Sequence, residues 1–217
     1  MLLFASLFHF AASAAHGGAS ATTHPVWGGA LQWVVSVNVS DATSAGPDFA
    51  FVYKYDALTN ASRLEHGHGQ HDEMCAGNFV LKQKKGEPCT VLHATDGWSY
   101  VLLPQQGLCC KCSPDVGIVA PHWLDNTATK DLGAATVDGR QAHGWSLAGT
   151  SAPDNTYYAT ADAAALPVQF FEHKKGVLKT WDFDLATYTT ALPADWQAQS
   201  QPPAGCTSRC TAGICRI

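Results

Sequence analysis

The sequence predicts an all-β antiparallel domain stapled by disulfides, and three observations predict it. Apolar residues recur at every second position in a series of short segments rich in Val, Phe, Tyr and Trp, the alternation of a strand with one buried face. Gly, Pro, Asn and Asp punctuate those segments at short spacing, as in a meander of hairpins. No stretch carries a convincing apolar stripe of helical period.

In chain order, LQWVVSVNV (31–39) sets Leu31, Trp33, Val35, Val37 and Val39 on one face and Gln32, Ser36 and Asn38 on the other, with Val34 the one interruption. DFAFVYKYD (48–56) aligns Phe49, Phe51, Tyr53 and Tyr55, and SDATSAGPD between the two is a turn cluster, so they form a hairpin with a long loop. SRLEHG (62–67), NFVLKQ (78–83), CTVLHAT (89–95) and GWSYVLLP (97–104) are the next strand candidates, followed by AATVDG (134–139), TYYATA (156–161), PVQFFEH (167–173) and VLKTWDFDL (177–185). PHWLDNTA (121–128) and PADWQAQ (193–199) are the candidate short helices, each opened by a Pro suited to a first turn. No repeat or low-complexity linker divides the chain, so residues 26–217 are expected to form a single β-domain with a cysteine-rich C-terminal tail.

Only 14% of residues are charged, the net charge is -5, and no run of Lys or Arg occurs. This argues against nucleic acid or an anionic membrane surface as partner. MLLFASLFHFAASAAHGG at the start is an apolar run ending in small residues, the pattern of a signal peptide over 1–15, with Ala12-Ser13-Ala14 or Ser13-Ala14-Ala15 as the cleavage context. It is too short to cross a bilayer, and no later stretch approaches the roughly 20 apolar residues of a span, so no transmembrane segment is expected. Asn38-Val39-Ser40 and Asn60-Ala61-Ser62 are glycosylation acceptors. Eight cysteines, an even count, suit a compartment where thiols oxidise. Together these point to the secretory pathway, ending in the extracellular space or a lysosome or vacuole.

Cys109 and Cys112 make a Cys-x-x-Cys with Cys110 inside it. A zinc site needs four ligands, and a redox dithiol needs a following helix, where this chain has the turn Ser113-Pro114-Asp115. Disulfides are therefore expected for Cys75, Cys89, Cys109, Cys110, Cys112, Cys206, Cys210 and Cys215. Adjacent Cys109 and Cys110 should reach different partners, stapling the middle of the chain to its tail and to Cys75 or Cys89; the pairing stays open.

LEHGHGQHDEMC (64–75) would put His66 and His68 on one strand face, with His71 and Asp72 or Glu73 approaching from the turn. Those groups suit a weakly bound divalent ion, zinc or copper. The plainer reading is a glycine-broken polar turn in solvent, and no other cofactor is expected. Gly144-Trp145-Ser146-Leu147-Ala148 nearly matches a nucleophile elbow, but the Gly, Pro and Asn of GTSAPDN after it exclude the required helix.

FVYKYD (51–56) is followed by NASRLEHG (60–67), Cys75 and WSYVLLPQQGLCCKC running into PHWL. NTYYAT, LPVQFF, WDFDLATY and Pro193-Ala194-Asp195-Trp196 then precede a terminal Cys. This order resembles the ependymin-related group of secreted glycoproteins, more broadly a LolA-like half-barrel, over about residues 45–206. The cluster Cys109, Cys110, Cys112 and the extra tail cysteines depart from the animal members. The resemblance implies a strongly curved antiparallel sheet or half-barrel whose concave face is a deep apolar pocket for lipids or other hydrophobic ligands, sometimes with calcium.

Periodicity nominates Trp33, Phe51, Tyr53, Trp98, Tyr100, Phe170 and Trp181 as lining residues. A non-enzymatic carrier of a small hydrophobic ligand, lipid or fatty acid, is the leading expectation; whether it forms a homodimer is open. The competing readings are an extracellular adhesion or matrix module whose aromatics fill a closed core, and a metal-dependent exported enzyme centred on His66, His68 and His71.

Overall fold

Eleven strands form one open, curved antiparallel sheet in the order β6-β5-β4-β3-β2-β1-β11-β10-β9-β8-β7. The strands are β1 (Gln32–Asp41), β2 (Phe49–Asp56), β3 (Ala61–His66), β4 (Cys89–His93), β5 (Ser99–Leu103), β6 (Leu108–Lys111), β7 (Thr129–Val137), β8 (Arg140–Leu147), β9 (Asn155–Thr160), β10 (Pro167–Lys174) and β11 (Val177–Thr189). A single helical turn, α1 (Trp196–Gln199), follows them, and a tight turn at Trp27–Gly29 precedes them. The computed structural model describes residues 24–42, 48–67, 87–114, 117–125, 128–147, 154–174 and 177–210. The expected leader at 1–15, the strand candidate at 78–83, and His68, His71, Cys75 and Cys215 lie outside the described residues.

The order follows from two meanders. The chain starts mid-sheet at β1, runs outward hairpin by hairpin to the edge strand β6, then resumes at the opposite edge with β7 and returns to β11, which pairs with β1. Sequence neighbours are sheet neighbours at every step except β6 to β7. Irregular pairing at Val34/Ser36, Asp131/Gly133 and Pro167/Gln169 accompanies the bending, as bulges do. At the first of these the Ser36 N–H donates to the Thr187 hydroxyl at 2.8 Å.

Eight strands fall on segments the alternation predicts, and β7 extends N-terminally beyond its segment. β6 and β8 were not anticipated. β6 is LCCK, whose cysteines read as a staple and not as a strand. In β8 the alternation is broken by Gly144, which lies opposite Tyr158; a Cβ there would sit 2.6 Å from that ring, so only glycine lets the ring lie flat on the strand. Residues 121–124 form a turn and not a helix. Trp123 and Leu124, adjacent in sequence, are both buried in the core, which a helix's spacing would not present so directly.

The cysteine cluster behaves as expected of an oxidised chain. Cys109 bonds Cys206 and Cys110 bonds Cys210, with Cα–Cα distances of 5.7 and 5.0 Å, and Cys89 and Cys112 are also disulfide-bonded. The tail is thus laid along β6, where Arg209 bridges Lys111 in parallel. It covers a small outer-face cluster of Leu92, Ala94, Tyr100 and Cys206.

Asp56, 1% exposed at the end of β2, joins three elements. Its Oδ1 accepts from Gln32 Nε2 at 3.0 Å and from the Leu58 and Thr59 amides, closing the β2–β3 turn. Its Oδ2 accepts from the Thr59 hydroxyl at 2.7 Å and from Trp196 Nε1 at 2.8 Å, which docks α1. Burial raises this carboxyl, but the bonds from Thr59, Gln32 and Trp196 outweigh it and hold it below its ordinary value. A carboxyl depressed in the folded state adds stability above the unfolded value and loses it as pH falls through the folded one. Asp56→Asn replaces one acceptor oxygen with a donor facing donors. It should cost about 1–3 kcal/mol at pH 7 and flatten the acid limb of the stability curve, measured by urea unfolding between pH 7 and 3; an unchanged acid limb would refute this role.

Candidate functional site

One face of the sheet is a set of register rows, and their chemistry changes from row to row. Phe49, Val39, Trp181, Phe170, Tyr157 and Trp145 lie opposite one another across six strands from β2 to β8. The next row is Phe183, Val37, Phe51, His66 and Cys89. Beyond it come Val35, Tyr53, Leu64, Val91 and Val101, then Trp33, Tyr55, Ser62, His93 and Ser99. Period-two side-chain direction sends all of these to the same side. In the last row His93 Nδ1 and the Ser99 hydroxyl are hydrogen-bonded at 2.6 Å. On the other side of the aromatic row, Lys179 lies opposite Glu172. An aromatic band is therefore bounded by polar groups at both ends of the strands.

Two irregular segments cover this face. The β6–β7 connection travels from one edge to the other across it, burying Val119, Trp123 and Leu124 in the same core as the strand residues. The segment before β1 adds Trp27, whose ring lies 5.0 Å from Trp123, 5.1 Å from Tyr157 and 6.2 Å from Phe170. The cover is held by polar tips of the sheet's own aromatics. Trp33 Nε1 donates to the Trp27 carbonyl at 3.2 Å, the Tyr55 hydroxyl to the Val119 carbonyl at 2.7 Å, and the Tyr188 hydroxyl to the Gly28 carbonyl at 2.8 Å. The two segments also hold each other, through the Trp27 amide on the Pro121 carbonyl at 2.8 Å and His24 Nδ1 beside Asp125 at 3.1 Å. Burial pushes the phenols of Tyr53, Tyr55 and Tyr157 upward and that of Tyr188 up to about 12, so these rings stay neutral.

Five of the seven nominated lining residues, Trp33, Phe51, Tyr53, Phe170 and Trp181, share this face. Trp98 and Tyr100 do not: they sit on the other side with Leu92 and Cys206. There Lys111 Nζ stands 3.9 Å above the Trp98 ring and the Arg209 guanidinium 4.7 Å from it, so that indole is a cation platform and not a greasy wall. The hairpin GWSYVLLP gave no sign of which parity faced inward, and Val101 and Leu103 are the inward residues. Tyr157 and Phe183 were within reach of the alternation. Trp27 and Trp123 were not, since they lie outside strands.

His66 is 2% exposed, and its ring lies 5.0 Å from Phe51 and 6.3 Å from Phe49. The expected solvent-facing turn therefore does not begin at His66, whose parity with Ser62 and Leu64 turns it inward. Ser146, in the elbow-like motif, is the penultimate residue of β8. Asn38 is exposed on the outer side of β1, and Asn60 is exposed at the β2–β3 turn with φ 54°. Among the described residues no helix is long and apolar enough to cross a membrane.

No family model matches the chain, and no curated protein matches it in sequence. Solved structures do. An uncharacterized conserved protein from Thermus thermophilus superposes with a TM-score of 0.51 at 12% identity, covering 82% of this chain and 90% of that one; the likeness is one of fold. Weaker matches include the lipoprotein LppX of Mycobacterium tuberculosis, with a TM-score of 0.42 at 12% identity over 75% of this chain and 89% of that one. A LolA-superfamily protein from Nitrosomonas europaea gives 0.35 at 10% identity, over 76% and 88%.

Gly28 tests whether the cover depends on its seat. It has φ 70°, and a Cβ would fall inside the Trp33 indole. Gly28→Ala should lift the Trp27 segment, lowering stability by about 1–3 kcal/mol through overpacking and red-shifting tryptophan emission. Wild-type emission and an unchanged urea midpoint would show that the seat is not needed.

Proposed function

We propose that this chain is a non-enzymatic, exported carrier of a hydrophobic ligand, a lipid or fatty acid, held on the aromatic inner face beneath segments 24–30 and 117–125. We further propose that it is a LolA-like half-barrel of the ependymin-related kind, glycosylated at Asn38 and Asn60. The observation that carries this reading is the mismatch between the face and its roof. An aromatic row six strands wide is covered by irregular chain anchored through hydrogen bonds to Trp33, Tyr55 and Tyr188, with no second sheet or long helix over it among the described residues. Bonds of that kind contribute about 0.5–1.5 kcal/mol each, so it is mainly the roof's buried rings that a guest must compensate. Disulfides and exposed acceptor asparagines suit an oxidising, secretory destination.

A filled-core extracellular module is the second reading, favoured by the packing of Trp27 against Trp123 and Tyr157. Metal binding by the HGHGQH segment remains a separate proposal that would draw on His68 and His71, and the metal content of a His68→Ala, His71→Ala variant against wild type tests it.

The carrier reading is tested by solvent extraction with mass analysis of the purified protein, together with binding of the neutral probe N-phenyl-1-naphthylamine. Extracted lipid and saturable probe binding are expected. Neither, in a folded protein, would leave the filled-core module. Exposing two roof rings costs up to about 6 kcal/mol, and each buried methylene returns about 0.8. Fatty acids should therefore displace the probe efficiently only above about eight carbons; equal displacement by butyrate and laurate would contradict exchange with the roof.

A further inference from the structure

Trp123 and Trp181 differ from the aromatics that anchor the cover. They are 7% and 6% exposed, and the Nε1 atom of each is buried without an acceptor among the described residues. Both pack against one ring: Phe170 lies 5.8 Å from Trp123 and 6.0 Å from Trp181. One indole belongs to the roof and the other to the sheet floor. An indole N–H only donates, and buried donors are rarely left unpaired. Two such donors, one from the roof and one from the floor and both beside Phe170, mark where an oxygen acceptor would be held.

We propose that the ligand of this face is an amphiphile whose head is an oxygen acceptor, carboxylate or ester carbonyl, bonded by the Trp123 and Trp181 indoles. This rests on the carrier reading above. The row order sets the ligand's direction. Along β11 the inward residues run Lys179, Trp181, Phe183, so the head lies toward the polar end of the strands and the hydrocarbon runs over Phe183, Val37 and Phe51. A plain hydrocarbon would leave both donors unsatisfied. An acceptor head would bond roof and floor together, so the correct ligand closes the cover over itself.

The test measures displacement of N-phenyl-1-naphthylamine by laurate, methyl laurate and dodecane, on wild type and on W123F/W181F. In wild type one or both of the oxygenated ligands should bind at least about tenfold more tightly than dodecane, one hydrogen bond being worth about that factor. Laurate against methyl laurate tells a charged head from a neutral ester. In the double variant the preference for the oxygenated ligands over dodecane should fall about tenfold or more. Equal affinity of all three for wild type overturns the proposal, as does an undiminished preference in the double variant.

Should the variant not fold, indole N–H resonances of wild type decide the question. Of the seven tryptophans, two signals, assigned from W123F and W181F singly or by backbone connectivity, should move downfield with the preferred ligand and not with dodecane. Their failure to move overturns the proposal. If the probe itself does not bind, the carrier reading fails and takes this inference with it; if the probe and dodecane bind as well as laurate, only the inference fails.

Discussion

The β6-to-β7 step constrains everything else in this molecule. Two meanders that share a middle leave the chain at one edge of the sheet when it must resume at the other. In an open, curved sheet the short route between those edges runs across the hollow side. The connection is apolar where it crosses, at Val119, Trp123 and Leu124, because the face beneath it is apolar. The cover is thus a consequence of strand order, and its irregular backbone follows from having no neighbouring strand with which to pair. Its backbone polar groups need partners, and the tips of Trp33, Tyr55 and Tyr188 provide three of them across the cover as a whole.

That solution gives Trp33, Tyr55 and Tyr188 two duties each. The ring body fills the hollow, and the polar tip holds the roof. Where a tip finds a roof carbonyl, the residue is structural. Where it does not, as for Trp123 and Trp181, the same residue type carries a buried donor with no acceptor among the described residues. The distinction cannot be drawn from residue identity, burial or parity. It depends on which carbonyls the covering segments bring within reach.

Much of the sheet was legible in the sequence, because half-buried strands print their geometry as alternation. Phe49, Phe51, Tyr53 and Tyr55 fall in the order that the register requires. Alternation states that residues share a face and not which face it is, so Trp98 and Tyr100 were grouped with residues on the opposite side. It also fails where packing needs a small residue, as at Gly144 beneath Tyr158, or where cysteines replace β-branched residues, as in β6. The roof was invisible for a different reason. Trp27 and Trp123 obey no period, and their position is dictated by the path between edges, a property of the whole strand order. His66 looked like part of a hydrated histidine run; one residue of parity, shared with Leu64, places it against Phe51.

The tail and the roof are secured by different means, and the difference bears on motion. The tail is bonded covalently to β6 on both faces, through Cys109–Cys206 on the outer and Cys110–Cys210 on the inner, and α1 is docked on the outer face by Asp56 and by Lys54, whose ammonium donates to Gln199 and Glu65 at 2.9 Å each. On the inner side the described contacts between roof and sheet are hydrogen bonds and ring packing. Free energies of local opening follow such differences in contact. The β1–β6 meander is held by staples and by α1 docking that do not pass through the roof. On the carrier reading, a sheet that relied on its roof for integrity would unfold each time the hollow was emptied or filled; anchoring that bypasses the roof would let the covering segments exchange with a guest without loss of the fold.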